Sequence, residues 1–314
     1  MSRPKITLVT RTQGNNAAIK TGAVGVRGFE LDLVEVPVII DAFRRMVRGL
    51  EFDVCEMALT TYLCAREHGI RFTALPIFLV RAFHHGAILH DCRSPVTDPS
   101  RIEGRRVGVG RGYTVTTGVW ARSILQEEYG VDLSAVTWVL SGDEHVEGYR
   151  PPANVERIRA GSSLEAQLLS GELAAVINVM ARNPAIVPMI PQAFEAGLAA
   201  YRERGHYPIN HCVVVRNDVL RAHPSVGRAL FEAFAEAKRR YVSELRRCST
   251  DRLETSDVLY RRLLDMGEEP LPYGIAPNRR VLATLVEHAL TQRILTRPVA
   301  IETLFDPATH DLVG

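Results

Sequence analysis

Short apolar runs alternate with amphipathic ones along much of the chain. Ile6–Thr10, Phe29–Val36, Phe52–Ala58 and Phe72–Leu79 are brief and rich in apolar residues, which predicts strands. Between them, Asp41–Gly49 puts Phe43, Met46 and Val47 on one helical face, and Tyr62–His68 is a shorter case. The theme repeats with strands at Arg106–Gly110, Val136–Leu140 and Ala174–Val179. The intervening helices are Thr116–Tyr129, with Val119, Trp120, Ile124 and Leu125 at helical spacing, and Leu164–Ser170, stopped by Gly171. Asn183-Pro184 breaks the last strand. From Pro224 the pattern turns helical: Val226–Leu245 carries Leu230, Phe231, Phe234, Ala237 and Tyr241, and Asn278–Gln292 follows. This alternation predicts an α/β fold with largely parallel sheets.

Two further extended segments, His84–His90 and Gly205–Val215, bracket the middle of the chain and read as paired crossovers. They predict one domain from residues 1–88 plus 212–314 and a second from 89–211. The length of 314 residues agrees with about two domains.

Composition removes several functions. The 38 Lys+Arg residues almost balance 36 Asp+Glu, leaving a net charge of +2 and no broad basic field for nucleic acid. An uncharged apolar run long enough to span a membrane is missing, so a membrane partner is not expected. The N-terminus enters a strand-like run at once without the apolar core of a secretory signal, so the expected compartment is the cytoplasm. The five cysteines, Cys55, Cys64, Cys92, Cys212 and Cys248, are odd in number and lack a C-x-x-C pair. They read as buried free thiols of a reducing compartment.

Open α/β sheets bind ligands at the carboxyl ends of their strands. Those ends carry Arg11 after the first strand, Thr60 and Thr61 after the third, and Arg81, Phe83, His84 and His85 after the fourth. Arg111, Tyr113, Thr114, Thr116 and Thr117 follow Arg106–Gly110, and Arg182 follows Ala174–Val179. Arginines, hydroxyls and aromatics in these positions suit a small anionic, aromatic ligand. Gly108–Gly118 invites a nucleotide reading, but Tyr113 stands where G-x-G-x-x-G needs glycine and no P-loop lysine follows. Free N–H groups at that helix start, with the threonine hydroxyls, would instead hold a carboxylate or serve as plain caps. Arg81 and Arg111 read as carboxylate clamps or as surface arginines. His84 and His85, on an extended segment, would point to opposite faces. His211 lies in the second crossover, and Glu56 sits among apolar residues near a strand end, where it would orient a histidine or arginine or act as a base. His145 lies in a polar loop and reads as solvated. Glu56, His84 or His85, and His211 together leave a divalent metal open, though their scattered spacing does not favour one.

Five segments, Glu51–Leu63, Ala74–Gly86, Gly104–Val109, Tyr207–Val215 and Pro272–Arg279, resemble in order the 4,5-dihydroxyphthalate decarboxylases and their relatives. The first loop, Thr10–Asn16, departs from that pattern. The resemblance implies a two-lobed α/β fold of the type 2 periplasmic-binding-protein kind, with the ligand in a cleft between the lobes. It also implies either a decarboxylase of a hydroxylated aromatic acid or a solute-binding protein on the same frame. For decarboxylation, a ring carbon must be protonated as CO2 leaves, which requires an acid of tunable pKa: His84, His85 or His211. Glu56 or a second histidine would be the base, and the arginines and threonines would be the anchors. The scheme requires no organic cofactor, and a homo-oligomer stays open.

Overall fold

The computed structural model describes residues 3–248, 253 and 255–314. By its internal contacts the chain divides into unit 1, Met1–Ala82, Ile209–Ala283 and Val299–Gly314, and unit 2, Phe83–Pro208 and Thr284–Pro298. The divisions at 82/83 and 208/209 fall a few residues before those expected. The segment Thr284–Pro298, expected with the first domain, groups with unit 2.

Unit 1 begins with β1 (Lys5–Val9), a short α1 (Ala17–Lys20), β2 (Glu30–Leu33), α2 (Ile39–Gly49), β3 (Val54–Ala58), α3 (Leu59–Glu67) and β4 (Phe72–Arg81). In unit 2 the chain forms β5 (Ile88–Asp91), β6 (Arg106–Val109), α4 (Thr116–Tyr129), β7 (Thr137–Leu140) and β8 (Val155–Arg157). It continues there through α5 (Leu164–Leu169), β9 (Ala175–Ile177), β10 (Ile186–Pro188) and α6 (Ala193–Arg204). It returns to unit 1 as β11 (Ile209–Arg216), α7 (Asn217–Ala222), α8 (Val226–Arg247) and α9 (Thr255–Asp265). The last helix, α10 (Arg279–Thr291), contains the third division between the units, at 283/284.

The unit 1 sheet has the order β2-β1-β3-β11-β4. Strands β1, β2 and β3 are parallel, while β11 runs antiparallel to both β3 and β4. All five residues of β3 are buried, as a central strand covered on both faces requires. The unit 2 sheet has the order β10-β5-β9-β6-β7-β8, parallel from β9 to β8, with β5 antiparallel to β9.

Most predicted elements are present, with ends shifted by a few residues. The first crossover differs: residues 85–87 form a 3-10 turn and the strand begins only at Ile88. Two-face alternation therefore does not apply to His84 and His85. Helix α6 escapes the pattern because two of its three buried residues, Gly197 and Ala200, are small and only Leu198 is large. Gly197 lies under Phe83, whose Cβ would be 2.5 Å from any side chain added there. The thiols also divide: Cys55, Cys64 and Cys212 are buried, but Cys92 is exposed.

Candidate functional site

The antiparallel β11 puts its own N-terminal end beside the carboxyl ends of β3 and β4. His211 pairs with Ala58 and Val80, and Ile209 with Arg81. This part of the unit 1 sheet therefore gathers Arg11 after β1, Glu56 in the middle of β3, Thr60 and Thr61 on the first turn of α3, Arg81 at the end of β4, and His211.

Glu56 is fully buried. A buried carboxylate without partners would cost several kcal/mol. Here one oxygen accepts the backbone N–H of Arg11 at 2.8 Å, and the other lies 2.6 Å from His211 Nδ1. A carboxylate accepts through Nδ1–H, so this contact fixes the orientation and tautomer of the imidazole and leaves Nε2 on its far side. Burial pushes the neighbouring Cys55 and Cys212 thiols up, and the Glu56 charge adds to both shifts. His211 itself is 17% exposed, and among the described residues its Nε2 has no partner. Phe43 of α2 stands edge-on to the imidazole, with ring centroids 5.1 Å apart.

Arg81 is 3% exposed, so it is no surface arginine. It hydrogen-bonds the side chain of Asn278, which in turn donates to Pro272 O at 2.9 Å and Gly274 O at 2.7 Å. The Pro272–Arg279 segment is thus a bracket that holds a buried cation at the sheet edge. Gly274 adopts φ 104°, and a Cβ there would sit 2.4 Å from Leu312 O, so this turn requires glycine. Burial pushes the Tyr260 phenol up, and the charges of Arg81 and Arg11 oppose it, which places that phenol near both arginines. Arg11 extends an exposed guanidinium, 3.2 Å from Gln13 Oε1. The Thr61 hydroxyl is buried without a hydrogen-bond partner at the start of α3.

The other expected residues belong to unit 2. His85 is fully buried, with Nε2 3.1 Å from both oxygens of Glu128, which also pairs with Arg204 at 2.5 Å. Burial raises the Glu128 carboxyl, but the His85 hydrogen bond and the His85 and Arg204 charges outweigh it and hold the group below its ordinary range. His84 is also buried. The two rings do not alternate across a strand, unlike the expectation of an extended segment, because residues 85–87 form a 3-10 turn. Phe83 packs on Gly197, Phe194 and Tyr207. Arg182 is exposed, with its backbone N–H toward Glu165.

The turn before α4 also differs from expectation. The Tyr113 N–H and the Thr114 N–H and hydroxyl donate to the carboxylate of Glu144, Thr114 Oγ1 at 2.6 Å. The carboxylate held here is the chain's own. Thr116 is buried and Thr117 half-buried on the first turn of α4. Arg111 takes a left-handed φ of 73°, its N–H bonds Ser141 Oγ at 2.9 Å, and its guanidinium meets no partner among the described residues. His145 is 5% exposed rather than solvated. Among the described residues, no group of three or more His, Cys, Asp or Glu could hold a metal ion. No described helix is long and apolar enough to cross a membrane.

Sequence reasoning selected Glu56 and His211 but missed Phe43, Tyr260 and Glu144. A signal for Glu144 was present: an acidic loop follows β7, the strand beside the one that carries the glycine-rich turn.

No family model matches the chain. It is 27% identical over 292 residues to a protein of Comamonas testosteroni named 4,5-dihydroxyphthalate decarboxylase, covering 86% of each. A Pseudomonas putida protein of the same name is 32% identical over 165 residues, 50% of this chain and 60% of that one. Among solved structures, a desulfurization enzyme matches with TM-score 0.55 and 15% identity over 97% of each chain. The periplasmic aliphatic sulphonate binding protein of Escherichia coli matches with TM-score 0.55 and 11% identity, over 99% of this chain and 100% of that one. The fold is that of the type 2 periplasmic binding proteins, as the sequence motifs implied.

Proposed function

From a chain homologous to the 4,5-dihydroxyphthalate decarboxylases and folded like a type 2 periplasmic binding protein, we propose a carboxy-lyase that removes CO2 from a hydroxylated aromatic acid, with His211 as the proton donor. The observation that carries this reading is the Glu56–His211 pair: a sealed carboxylate fixes an imidazole whose other nitrogen is left available at the ligand-binding edge of the sheet.

In this reading the imidazolium Nε2–H protonates the ring carbon that bears the carboxylate. The C–C bond then breaks, its electrons restore the aromatic ring, and CO2 departs. The sum is one carboxylate plus one proton giving an arene and CO2. Glu56 is not the base, since its two oxygens are taken by Arg11 N–H and His211. It is a positioning residue that holds the imidazole in place through Nδ1. Arg11, the first turn of α3 and the Thr61 hydroxyl would anchor a second carboxylate, and buried Arg81 would add a fixed positive field. The anchor must not hold the departing carboxylate equally well, since uniform binding does not speed chemistry. The scheme needs no organic cofactor.

The likeness to sulphonate-binding proteins favours one second reading, a binding protein for a small aromatic or carboxylic acid without turnover. Incubation with 4,5-dihydroxyphthalate and a panel of hydroxybenzoates, following CO2 release and the product by chromatography, separates the two. Catalytic CO2 release that His211→Gln removes supports the lyase. Tight binding with no CO2 from any acid rejects it for the second reading.

A further inference from the structure

The amino ends of the parallel strands of unit 2 carry a cavity of about 620 Å³, a volume in the range of small-molecule sites. Strands β6 and β9 start there, and β5, which runs against β9, ends there at Asp91. The walls come from residues 91–96, 104–106 and 168–174, all within unit 2. Part of the lining is apolar: Leu168 and Leu173 belong to the core between α5 and the sheet, and Leu169 packs on that core. An apolar group laid against these leucines is removed from water, which favours binding. The rest of the lining is charged, and its charges are not equally spent. The Asp91 carboxylate accepts from Arg93 Nε at 2.9 Å and Nη2 at 2.6 Å. Glu172 pairs with Arg159 at 3.0 Å, and Arg106 with Glu156 at 2.8 Å. Arg105 differs. Its Nε donates to Arg101 O at 3.1 Å, and among the described residues its two terminal nitrogens meet no acceptor. Both acids of the lining are thus already matched by an arginine, and one guanidinium keeps the two-nitrogen edge that fits a carboxylate.

We infer that this cavity is a second ligand site, for a small monocarboxylate with an apolar body, whose carboxylate binds Arg105 and whose body lies on the leucines. Each part of the lining excludes a class of molecule. A second negative charge would meet only cations that are already paired, and would stand near Asp91 and Glu172. A neutral molecule would forgo the guanidinium, and an acid without a body would forgo the leucines. The inference does not depend on turnover, so its failure leaves the lyase reading untouched.

The test is equilibrium dialysis of the full-length protein against radiolabelled benzoate. Whatever unit 1 binds, wild type should hold one more benzoate per chain than Arg105→Ser. Arg221→Ser, which removes the same charge from exposed α7 of unit 1, should match wild type. Equal occupancy in wild type and Arg105→Ser overturns the site. An equal loss in Arg221→Ser makes it an effect of net charge and overturns it as well. Cyclohexanecarboxylate should displace the extra benzoate, while formate and benzamide at the same concentration should not. Displacement by formate overturns the role given to the leucines, and displacement by benzamide the role given to Arg105. If Arg105→Ser does not fold, Arg105→Lys serves: an ammonium lacks the two-nitrogen edge, so the extra site should weaken several-fold. Unchanged affinity in Arg105→Lys then overturns the proposal.

Discussion

Both units contain a glutamate–histidine pair, and the two are built in opposite senses. In unit 1 the carboxylate of Glu56 is sealed and the imidazole of His211 reaches the surface, 17% exposed against 0% for its partner. In unit 2 the imidazole of His85 is sealed and Glu128 is the outer member, at 0% and 17%, with Arg204 sharing its charge. In the proposed reading the same two groups would give a proton donor in one place and a brace in the other. What decides is which member of the pair faces water. An imidazole can deliver a proton only through a nitrogen that a ligand can reach, and among the described residues the second nitrogen of His85 is buried and unpartnered. Candidate acids are therefore better judged by the exposure of the free nitrogen than by the presence of a carboxylate.

The largest expected effect that sharpens this contrast comes from the carboxylates. Glu56→Gln should lower kcat for decarboxylation by about a hundredfold, because the imidazolium loses its counter-charge and its fixed tautomer. Its KM should change little, which steady-state kinetics would read. Glu128→Gln should leave kcat near wild type and instead cost roughly 1–3 kcal/mol of stability in denaturant unfolding. If Glu128→Gln lost turnover as Glu56→Gln does, the contrast between the pairs would collapse.

Acid should affect unit 2 through His206, which stacks edge-on to Trp120, with centroids 5.2 Å apart, in the region of Glu127, Glu128, His85, Arg204 and His288. Burial lowers the His206 imidazole from 6.5 to about 4, with Glu127 and Glu128 opposing and the charges of His85 and Arg204 adding to the shift. The unfolded chain takes up this proton near pH 6.5 and the folded chain only near pH 4. The stability is thus whole above pH 6.5, is lost as pH falls toward 4, and loses no more from this group below that. The loss is on the order of 3 kcal/mol. Melting temperature against pH should fall less steeply between 6.5 and 4 in His206→Asn than in wild type. Equal slopes would remove His206 from the account.

A smaller effect is expected at Arg11, whose exposed guanidinium is assigned to anchoring. Arg11→Gln should raise KM about tenfold while kcat falls less, the pattern of lost ground-state binding. A fall in kcat alone would move Arg11 from anchor to chemistry.

The fold was largely legible because strand and helix periodicities differ and the chain alternates them. The sheet edge was legible for the same reason, since parallel strands put their carboxyl ends together. The pairing of Glu56 with His211 was not, because 155 residues separate them and only the β3–β11 register joins them. His84 and His85 were misread as extended because the crossover begins with a turn, which apolar spacing does not reveal. The turn before α4 was read as holding a ligand carboxylate or as plain caps, whereas the carboxylate it holds comes from a loop some 30 residues onward, after a neighbouring strand, which local sequence does not reveal.

The most direct test is kcat for CO2 release from 4,5-dihydroxyphthalate in His211→Asn and His85→Asn, measured side by side on folded protein. A loss of about a hundredfold or more in His211→Asn, with His85→Asn near wild type, is the expected result. Equal turnover in His211→Asn and wild type, or a selective loss in His85→Asn, would contradict the assignment of the proton donor to unit 1.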